Sequence, residues 1–184
     1  MKIIKVEIKG TSPLLMNNPV SMLEESSGLK QKTSKMDMKA EAEKLAYKDA
    51  KGVLYIPAQA IKGCLVNAGA YKKFGKYSAK PIIAGGVHIL PDKVSLGTKE
   101  YVIDLRTVVI QRSRVPKARP KIENWKAAFD LIYDENLISN GELLKPILEE
   151  AGKRVGLLDF RPNKSGDFGC FEIIKWQKSR DSSR

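Results

Sequence analysis

Near the end of the chain stands the stretch Gly156-Leu-Leu-Asp-Phe-Arg-Pro-Asn-Lys-Ser-Gly-Asp-Phe-Gly169, between an amphipathic segment and a strand-like one. Glycine lets the backbone turn tightly and come close to an anionic ligand, and Arg161 and Lys164 add positive charge. Phe160 and Phe168 lie beside these charges, a residue mix typical of surfaces that hold a single nucleic-acid strand. The alternative is a tight loop whose glycines only satisfy backbone geometry.

The segments around this loop predict two helices and a strand. Apolar residues at helical spacing, preceded by the capping candidates Ser139 and Asn140, predict a helix over Glu142–Lys153. The segment Phe171–Trp176 has the composition of a final strand. Further back, an apolar face at i, i+3 and i+4 spacing predicts a helix over Pro57–Tyr71.

Three more strands complete the pattern. They are predicted over residues 3–10, Tyr101–Gln111 and Ile122–Tyr133, with short elements at Lys39–Lys51, Val53–Ile56, Val87–Leu90 and Val94–Leu96. The resulting order is that of an α+β, ferredoxin-like (RRM-like) βαββαβ domain with an antiparallel sheet. Both helices cover one face of such a sheet, and RNA-recognition modules use the other, free face.

The remaining residues are predicted to be insertions and a tail. One domain is expected over residues 1–177, with insertions at about 11–52 and 76–100, and residues 178–184 are expected to be a disordered tail. Thr11–Asp37 is rich in Leu and Met but is interrupted by Pro, Gly, Ser and Asn. We therefore predict that residues 11–37 mediate self-association. The alternative is that they pack on their own domain.

The charge narrows the class of partner. Thirty-three Lys and Arg residues face 21 Asp and Glu residues, which gives a net charge of +12 and a pI near 9.6. Such a surface attracts polyanions, so single-stranded RNA or DNA is the predicted partner. A membrane is not expected because no basic amphipathic helix and no long apolar run are present. A lysine-rich soluble surface without a polyanionic partner is the alternative.

A tract without acidic residues carries the densest charge. Its members are Arg112, Arg114, Lys117, Arg119 and Lys121, and Arg106 lies on the predicted strand before it. Arginine grips phosphate in a bidentate manner, and in an extended backbone Arg112 and Arg114 would share one face. We expect alanine at Arg112, Arg114 and Arg119 to weaken binding of any sequence and to flatten its salt dependence. The alternative is a solvated hairpin tip.

Catalytic and cofactor motifs are not found. The chain has two cysteines and one histidine, Cys64, Cys170 and His88, which do not make a zinc site, and its aspartates have no two-metal spacing. We therefore expect no cofactor, no resident metal and no catalytic residues, although enzymatic activity stays an open question. Because the N-terminus has the pattern of a strand and not of a signal peptide, an intracellular protein, of cellular or viral origin, is expected.

A strand-to-helix turn carries a resemblance to a known family. Ile56-Pro-Ala-Gln-Ala-Ile-Lys-Gly63 resembles the "I-P-G-S-S-[IL]-K-G" signature of the RAMP superfamily, the ferredoxin-like proteins of CRISPR effector complexes. Arg114–Pro120 and Gly156–Phe171 are similar to tracts of uncharacterised RAMP-like proteins from bacteriophages and mobile elements. The chain departs from the pattern at Ala58 and Ala60, and Cys170 stands where arginine is frequent.

The resemblance implies binding of RNA or of another single strand. Together with the missing catalytic motifs, it predicts a non-catalytic protein that binds single-stranded nucleic acid, with RNA favoured over DNA. Free N–H groups at the start of the helix and Lys62, one turn in, would then contact phosphate. It also makes residues 11–37 similar to a flexible thumb that touches neighbours. Two alternatives stay open: a phage structural protein whose basic face binds a protein partner, and a metal-dependent ribonuclease using Asp37.

Overall fold

The structure is a computed structural model that describes residues 1–19, 37–110 and 112–179. Its strands are β1 (Lys2–Gly10), β2 (Leu14–Leu15), β3 (Tyr55–Pro57), β4 (Lys73–Phe74), β5 (Tyr77–Ser78), β6 (Val87–Leu90), β7 (Lys93–Ser95), β8 (Val102–Ile110), β9 (Ser113–Ile122), β10 (Lys126–Tyr133) and β11 (Phe171–Lys178). Its α-helices are α1 (Met38–Leu45), α2 (Ala58–Ala68), α3 (Ala79–Gly86) and α4 (Lys145–Glu150). The 3₁₀ turns Gly69–Tyr71 and Gly141–Leu144 follow α2 and precede α4, Pro162–Lys164 forms a third 3₁₀ turn, and the π-turn Ala151–Val155 extends α4.

The central sheet has four antiparallel strands in the order β11-β1-β10-β6. In β1, Ile4, Val6 and Ile8 alternate with more exposed residues, so one face of the strand is buried. Apolar residues of α2 and of the α4 region are buried in the same hydrophobic core. The order and the helix layer confirm the predicted ferredoxin-like α+β fold class.

The second strand of the sheet is not the predicted one. β6, at Val87–Leu90, takes that position by pairing with β10, whereas Tyr101–Gln111 was the predicted candidate. Val87 and Ile89 bury alternate side chains in the core, while β8 is largely exposed. High β-propensity therefore predicts that β8 is a strand but not which strand it pairs with.

β8 instead pairs with β9, and the predicted basic connection Arg112–Lys121 is mostly a strand. Pro116 and Pro120 are tolerated there because the outer edge of β9 has only a short partner, Leu14–Leu15 of β2. The short elements predicted at Val87–Leu90 and Val94–Leu96 do not pair with each other, since β6 pairs with β10 and β7 pairs with β3.

The described part of residues 11–37 packs on its own domain. Leu14, Leu15 and Met16 are fully buried, so these three residues do not form a partner surface. The rest of that prediction, residues 20–36, lies outside the described residues. Lys178 belongs to β11 and not to the predicted tail, of which residues 180–184 also lie outside the described residues. No helix among the described residues is long and apolar enough to cross a membrane.

Candidate nucleic-acid interface

The β8–β9 hairpin carries most of the predicted cations. From Leu105 to Ile122 the sequence has six Lys or Arg residues and no Asp or Glu. The distal half is exposed or half-buried on both faces wherever side chains are described, and Val109 reaches 71% exposure. Within the described residues, Arg112, Arg114 and Lys117 have no carboxylate within salt-bridge distance. The hairpin is thus a basic arm with unpaired cations.

The strand register sorts these cations onto different faces. Arg106 lies opposite Lys117, while Arg114 lies opposite Val109 on the other face of the ribbon. Arg112 lies in the turn, with φ of 67°. The condition for a shared face of Arg112 and Arg114 is therefore not met, because alternation requires an extended backbone at both residues.

Arg119 is placed in the interior. It is 5% exposed, and its Nη1 donates to Asp159 Oδ2 at 2.6 Å. Its Nε has no hydrogen-bond partner among the described residues. Arg119 therefore joins the hairpin to the glycine-rich loop, Gly156–Gly169. Its burial leaves no surface for a phosphate. Lys121, also a predicted contact, forms an ion pair with Glu123 at 2.7 Å.

A second contact joins the hairpin to the same loop. The Arg106 guanidinium carbon lies 4.8 Å from the ring centre of Phe168 and 5.8 Å from that of Phe160. Arg106 Nε also donates to Asp104 Oδ1 at 2.7 Å. Phe168 is 8% exposed and Phe160 is 38% exposed, so only Phe160 offers ring surface to a base. The cation–π contact brings two predicted sites, far apart in sequence, onto one surface.

The glycines of the loop serve its own backbone. A Cβ on Gly166 would lie 1.9 Å from Phe160 O, and one on Gly169 would lie 2.1 Å from Leu157 O. Gly156 and Gly169 also have positive φ. These short distances favour the alternative in which the three glycines only satisfy the geometry of a tightly packed loop. Arg161 and Lys164 stay on the loop; Arg161 Nη1 donates to Leu158 O at 2.5 Å, and Lys164 is exposed.

Two of the three tracts that carry the RAMP resemblance, Ile56–Gly63 and Gly156–Phe171, face each other across a groove of about 400 Å³. One wall is α2, with Gln59, Gly63 and Asn67 at successive turns. The other wall is the loop, with Asp159 and Arg161. The remaining lining residues are Asn17, Pro19, Tyr47, Ala60, Cys64, Gly156 and Leu158. The groove thus offers amides on its helix wall and a carboxylate and a cation on its loop wall.

The absence of a side chain serves different purposes at Gly63, inside α2, and at Gly69, just after it. A Cβ on Gly69 would lie 3.0 Å from Lys80 N and Ile83 Cδ1, so Gly69 allows close packing of α3. Among the described residues, a Cβ on Gly63 would meet nothing within 4 Å. Glycine inside a helix costs about 1 kcal/mol relative to alanine, and internal packing does not account for that cost at Gly63. Gly63 instead lines the helix wall of the groove without a side chain that would narrow it.

Lys62 lies away from this groove. It lines a separate cavity of about 140 Å³ with His88 and Asp92. The first N–H of α2, at Ala58, already donates to Asp92 O at 2.8 Å. The carboxylate of Asp92 near Lys62 makes this helix start a poor phosphate site. The geometry thus favours a plain strand-to-helix turn at this position.

The free face of the sheet lacks the residues that RNA-recognition modules use. Lys5, Glu7 and Lys9 of β1 face Asp130, Ala128 and Lys126 of β10 across the strand pair. Among the described residues the sheet's aromatic side chains, such as Phe129 and Tyr133, alternate onto the buried face. Without aromatic rings the face has no stacking platform.

Residues with catalytic potential are dispersed. Among the described residues, no group of three or more His, Cys, Asp and Glu residues is placed to hold a metal ion. Asp37 Oδ1 accepts hydrogen bonds from Lys39 N at 3.0 Å and Ala40 N at 3.2 Å, so it caps α1. Burial raises the pKa of the Cys64 thiol to about 12, which makes it a poor nucleophile.

Two exposed aromatic residues were not among the predicted contact residues. Tyr71 and Tyr77 lie just beyond α2 and are strongly exposed. The segment Tyr71-Lys-Lys-Phe-Gly-Lys-Tyr77 carried the signal, since its lysines alternate with aromatic residues.

Comparison with known proteins supports the fold. No protein-family model and no curated protein matches the chain. The fold is similar to that of a protein in the cryo-EM structure of the Type III-B Cmr-beta bound to cognate target RNA, with a TM-score of 0.64 and 20% sequence identity. The match covers 97% of this chain, which spans 61% of that protein. This likeness agrees with the ferredoxin-like fold and shows the fold alone.

Proposed function

We propose that this protein binds single-stranded nucleic acid without strong sequence preference, with RNA favoured over DNA, as a non-catalytic RAMP-like protein. The observation that carries the proposal is the contact between the basic hairpin and the glycine-rich loop. Arg106 lies on Phe160 and Phe168, and Arg119 binds Asp159. These contacts place the exposed ring of Phe160 beside the hairpin face that carries Arg106 and Lys117, so cations for phosphate contact and a ring for base stacking lie together.

The groove beside this surface extends the proposed path of the strand. Arg161 supplies a cation there, and Gly63 leaves room for a backbone or base to approach α2 closely. The Cmr-beta structure, which contains target RNA, supports RNA as the partner class. Of the predicted contacts, we retain Arg106, Arg112, Arg114, Lys117, Phe160, Arg161 and Lys164, and we leave out Lys62, Arg119, Lys121 and Phe168 on geometric grounds.

The hairpin cations are tested by charge neutralisation. We expect R112Q/R114Q/K117Q to weaken binding of a fluorescent single-stranded RNA by about tenfold or more and to reduce the salt slope by about 2, because roughly 0.7 counterion is released per phosphate contact. The measurement is fluorescence anisotropy at several salt concentrations.

The matched control removes the same charge from the free sheet face. K5Q/K126Q/K175Q lowers the net charge equally, at three exposed positions. We expect a much smaller effect from it, because only overall attraction is reduced. Equal losses in both variants would show that net charge, and not the hairpin, holds the strand.

The groove is tested by Gly63→Ala. We expect this variant to be more stable by about 1 kcal/mol, because alanine is the better helix former and its Cβ meets no neighbour. We also expect weaker RNA binding, because the methyl group narrows the groove. Urea unfolding and anisotropy measure the two effects. A stabilised variant with unchanged affinity would remove the groove from the proposed path.

A protein partner is the rival function, and one observation favours it. The hairpin exposes apolar side chains, including Leu105 and Val109, next to its cations. Such a surface suits an acidic protein with an apolar patch. Affinity purification from a nuclease-treated lysate separates the two: recovery of a protein partner, with no oligonucleotide binding by the pure chain, would favour the rival.

A further inference from the structure

The two most exposed aromatic residues in the described part of the chain lie just beyond the C-terminal end of α2. We call residues 71–80 the lysine–tyrosine knuckle; it contains β4, β5 and the start of α3. Tyr71 is 58% exposed and Tyr77 is 73% exposed. Within the described residues neither ring contacts another ring or a cation, and neither hydroxyl forms a hydrogen bond. Tyrosine combines an apolar ring with a polar hydroxyl and is enriched at interaction sites.

The charge around the two rings has one sign. Lys72, Lys73, Lys76 and Lys80 lie in the knuckle and are all exposed. The sequence has no Asp or Glu between Asp49 and Asp92, so the knuckle has no acidic residue of its own or in its flanks. Lysine and tyrosine together hold single-stranded nucleic acid by phosphate contact and stacking. An acid-free lysine cluster repels basic partners and attracts polyanions.

The knuckle is held in place by the fold. Ala79 N donates to Lys72 O at 3.0 Å, and the side chain of Ser78 caps α3. Gly75, with φ of 59°, makes the tight turn between β4 and β5, and Phe74 packs against the core. Because the backbone is already ordered, little entropy is lost when a strand stacks on the rings.

The knuckle also lies in line with the groove. Gln59, Gly63 and Asn67 follow one another along α2 at intervals of one turn, and Tyr71 comes one turn later in the 3₁₀ turn after the helix. Gln59 and Asn67 are therefore about 12 Å apart along the axis. A strand that leaves the groove past Asn67 meets Tyr71 next.

We propose that the lysine–tyrosine knuckle is a second contact site for the same single-stranded nucleic acid, with bases stacked on Tyr71 and Tyr77 and phosphates bound by the lysines. The inference rests on the proposed function, because it requires that a strand is bound at all. It assigns a site outside the hairpin and the glycine-rich loop, beyond the C-terminal end of α2.

The test compares tyrosine variants in binding a single-stranded uridine oligonucleotide long enough to span both sites. We expect Y71S/Y77S to lose about tenfold or more in affinity, and Y71F/Y77F to stay within about twofold of the wild type, because phenylalanine still stacks. Photo-crosslinking with 5-iodouridine in the same oligonucleotide should label Tyr71 or Tyr77 in the wild type. Both positions are exposed, and matching melting temperatures show that the variants are folded.

The outcomes separate this site from the proposed function. If the wild type and R112Q/R114Q/K117Q behave as expected but Y71S/Y77S binds normally without crosslinks, the knuckle proposal is overturned and the function stands. If Y71S/Y77S loses affinity while R112Q/R114Q/K117Q does not, the knuckle stands and the hairpin assignment falls. If the wild type binds no oligonucleotide at low salt, both proposals fall.

Discussion

Gly169→Ala should lower the free energy of unfolding by about 3 kcal/mol or more, the largest effect of any single substitution considered for the loop. The residue has φ of 72°, a conformation that costs an L-residue about 1 kcal/mol. Its new Cβ would also lie 2.1 Å from Leu157 O, and Leu157 N donates to Gly169 O at 2.9 Å. Relief of the clash therefore breaks a backbone hydrogen bond that closes the loop. Urea unfolding measures the loss.

Gly97→Ala is the matched control for this effect. Gly97 has φ of 69°, and a Cβ there would meet nothing within 4 Å. We expect it to lose only the conformational cost of about 1 kcal/mol. Equal losses in the two variants would mean that the close approach to Leu157 does not stabilise the loop.

Asp159→Ala should cost about 3 kcal/mol, because it leaves the Arg119 guanidinium buried without its partner. Arginine cannot shed its charge, and its side chain is only 6% exposed here. The Asp159 side chain is 29% exposed, so water reaches the vacated position and holds the loss near the lower end of the usual range. The measurement is the urea midpoint at neutral pH.

Two variants bracket this prediction. The double variant R119M/D159A should recover most of the stability, since it removes the buried charge together with its partner. Glu150→Gln breaks the i,i+4 pair between the half-buried Glu150 and the exposed Arg154 and should cost no more than about 0.5 kcal/mol, because water reaches the arginine. A loss for Asp159→Ala as small as that for Glu150→Gln would contradict the structural role of the Arg119–Asp159 pair.

The fold could be predicted where local periodicity sets the burial of a segment. Alternation in β1 and the helical stripe before the glycine-rich loop each marked one buried face, so the elements were found and the ferredoxin-like class followed. Pairing could not be predicted, because it depends on contacts distant in sequence. β6 has only four residues and entered the sheet, whereas the longer β8 joined the hairpin.

The candidate site shows the same division. The basic tract and the glycine-rich loop were visible as composition, and the structure brings them into contact. Composition did not reveal that Arg119 is buried against Asp159, or that Gly69 packs against α3 while Gly63 opens onto a groove. These distinctions depend on which neighbour each residue contacts in the fold. Two arginines or two glycines look the same in the sequence, so the sequence does not reveal them.

The most direct test of nucleic-acid binding is the affinity of the wild-type protein for a labelled single-stranded RNA, measured by fluorescence anisotropy from low to physiological salt. Arg112, Arg114 and Lys117 are free to reach phosphates. We predict tight binding at low salt and a logarithmic salt slope of about −2 or steeper, because about three phosphate contacts release roughly 0.7 counterion each. No binding at low salt, or an affinity that does not change with salt, would contradict the account.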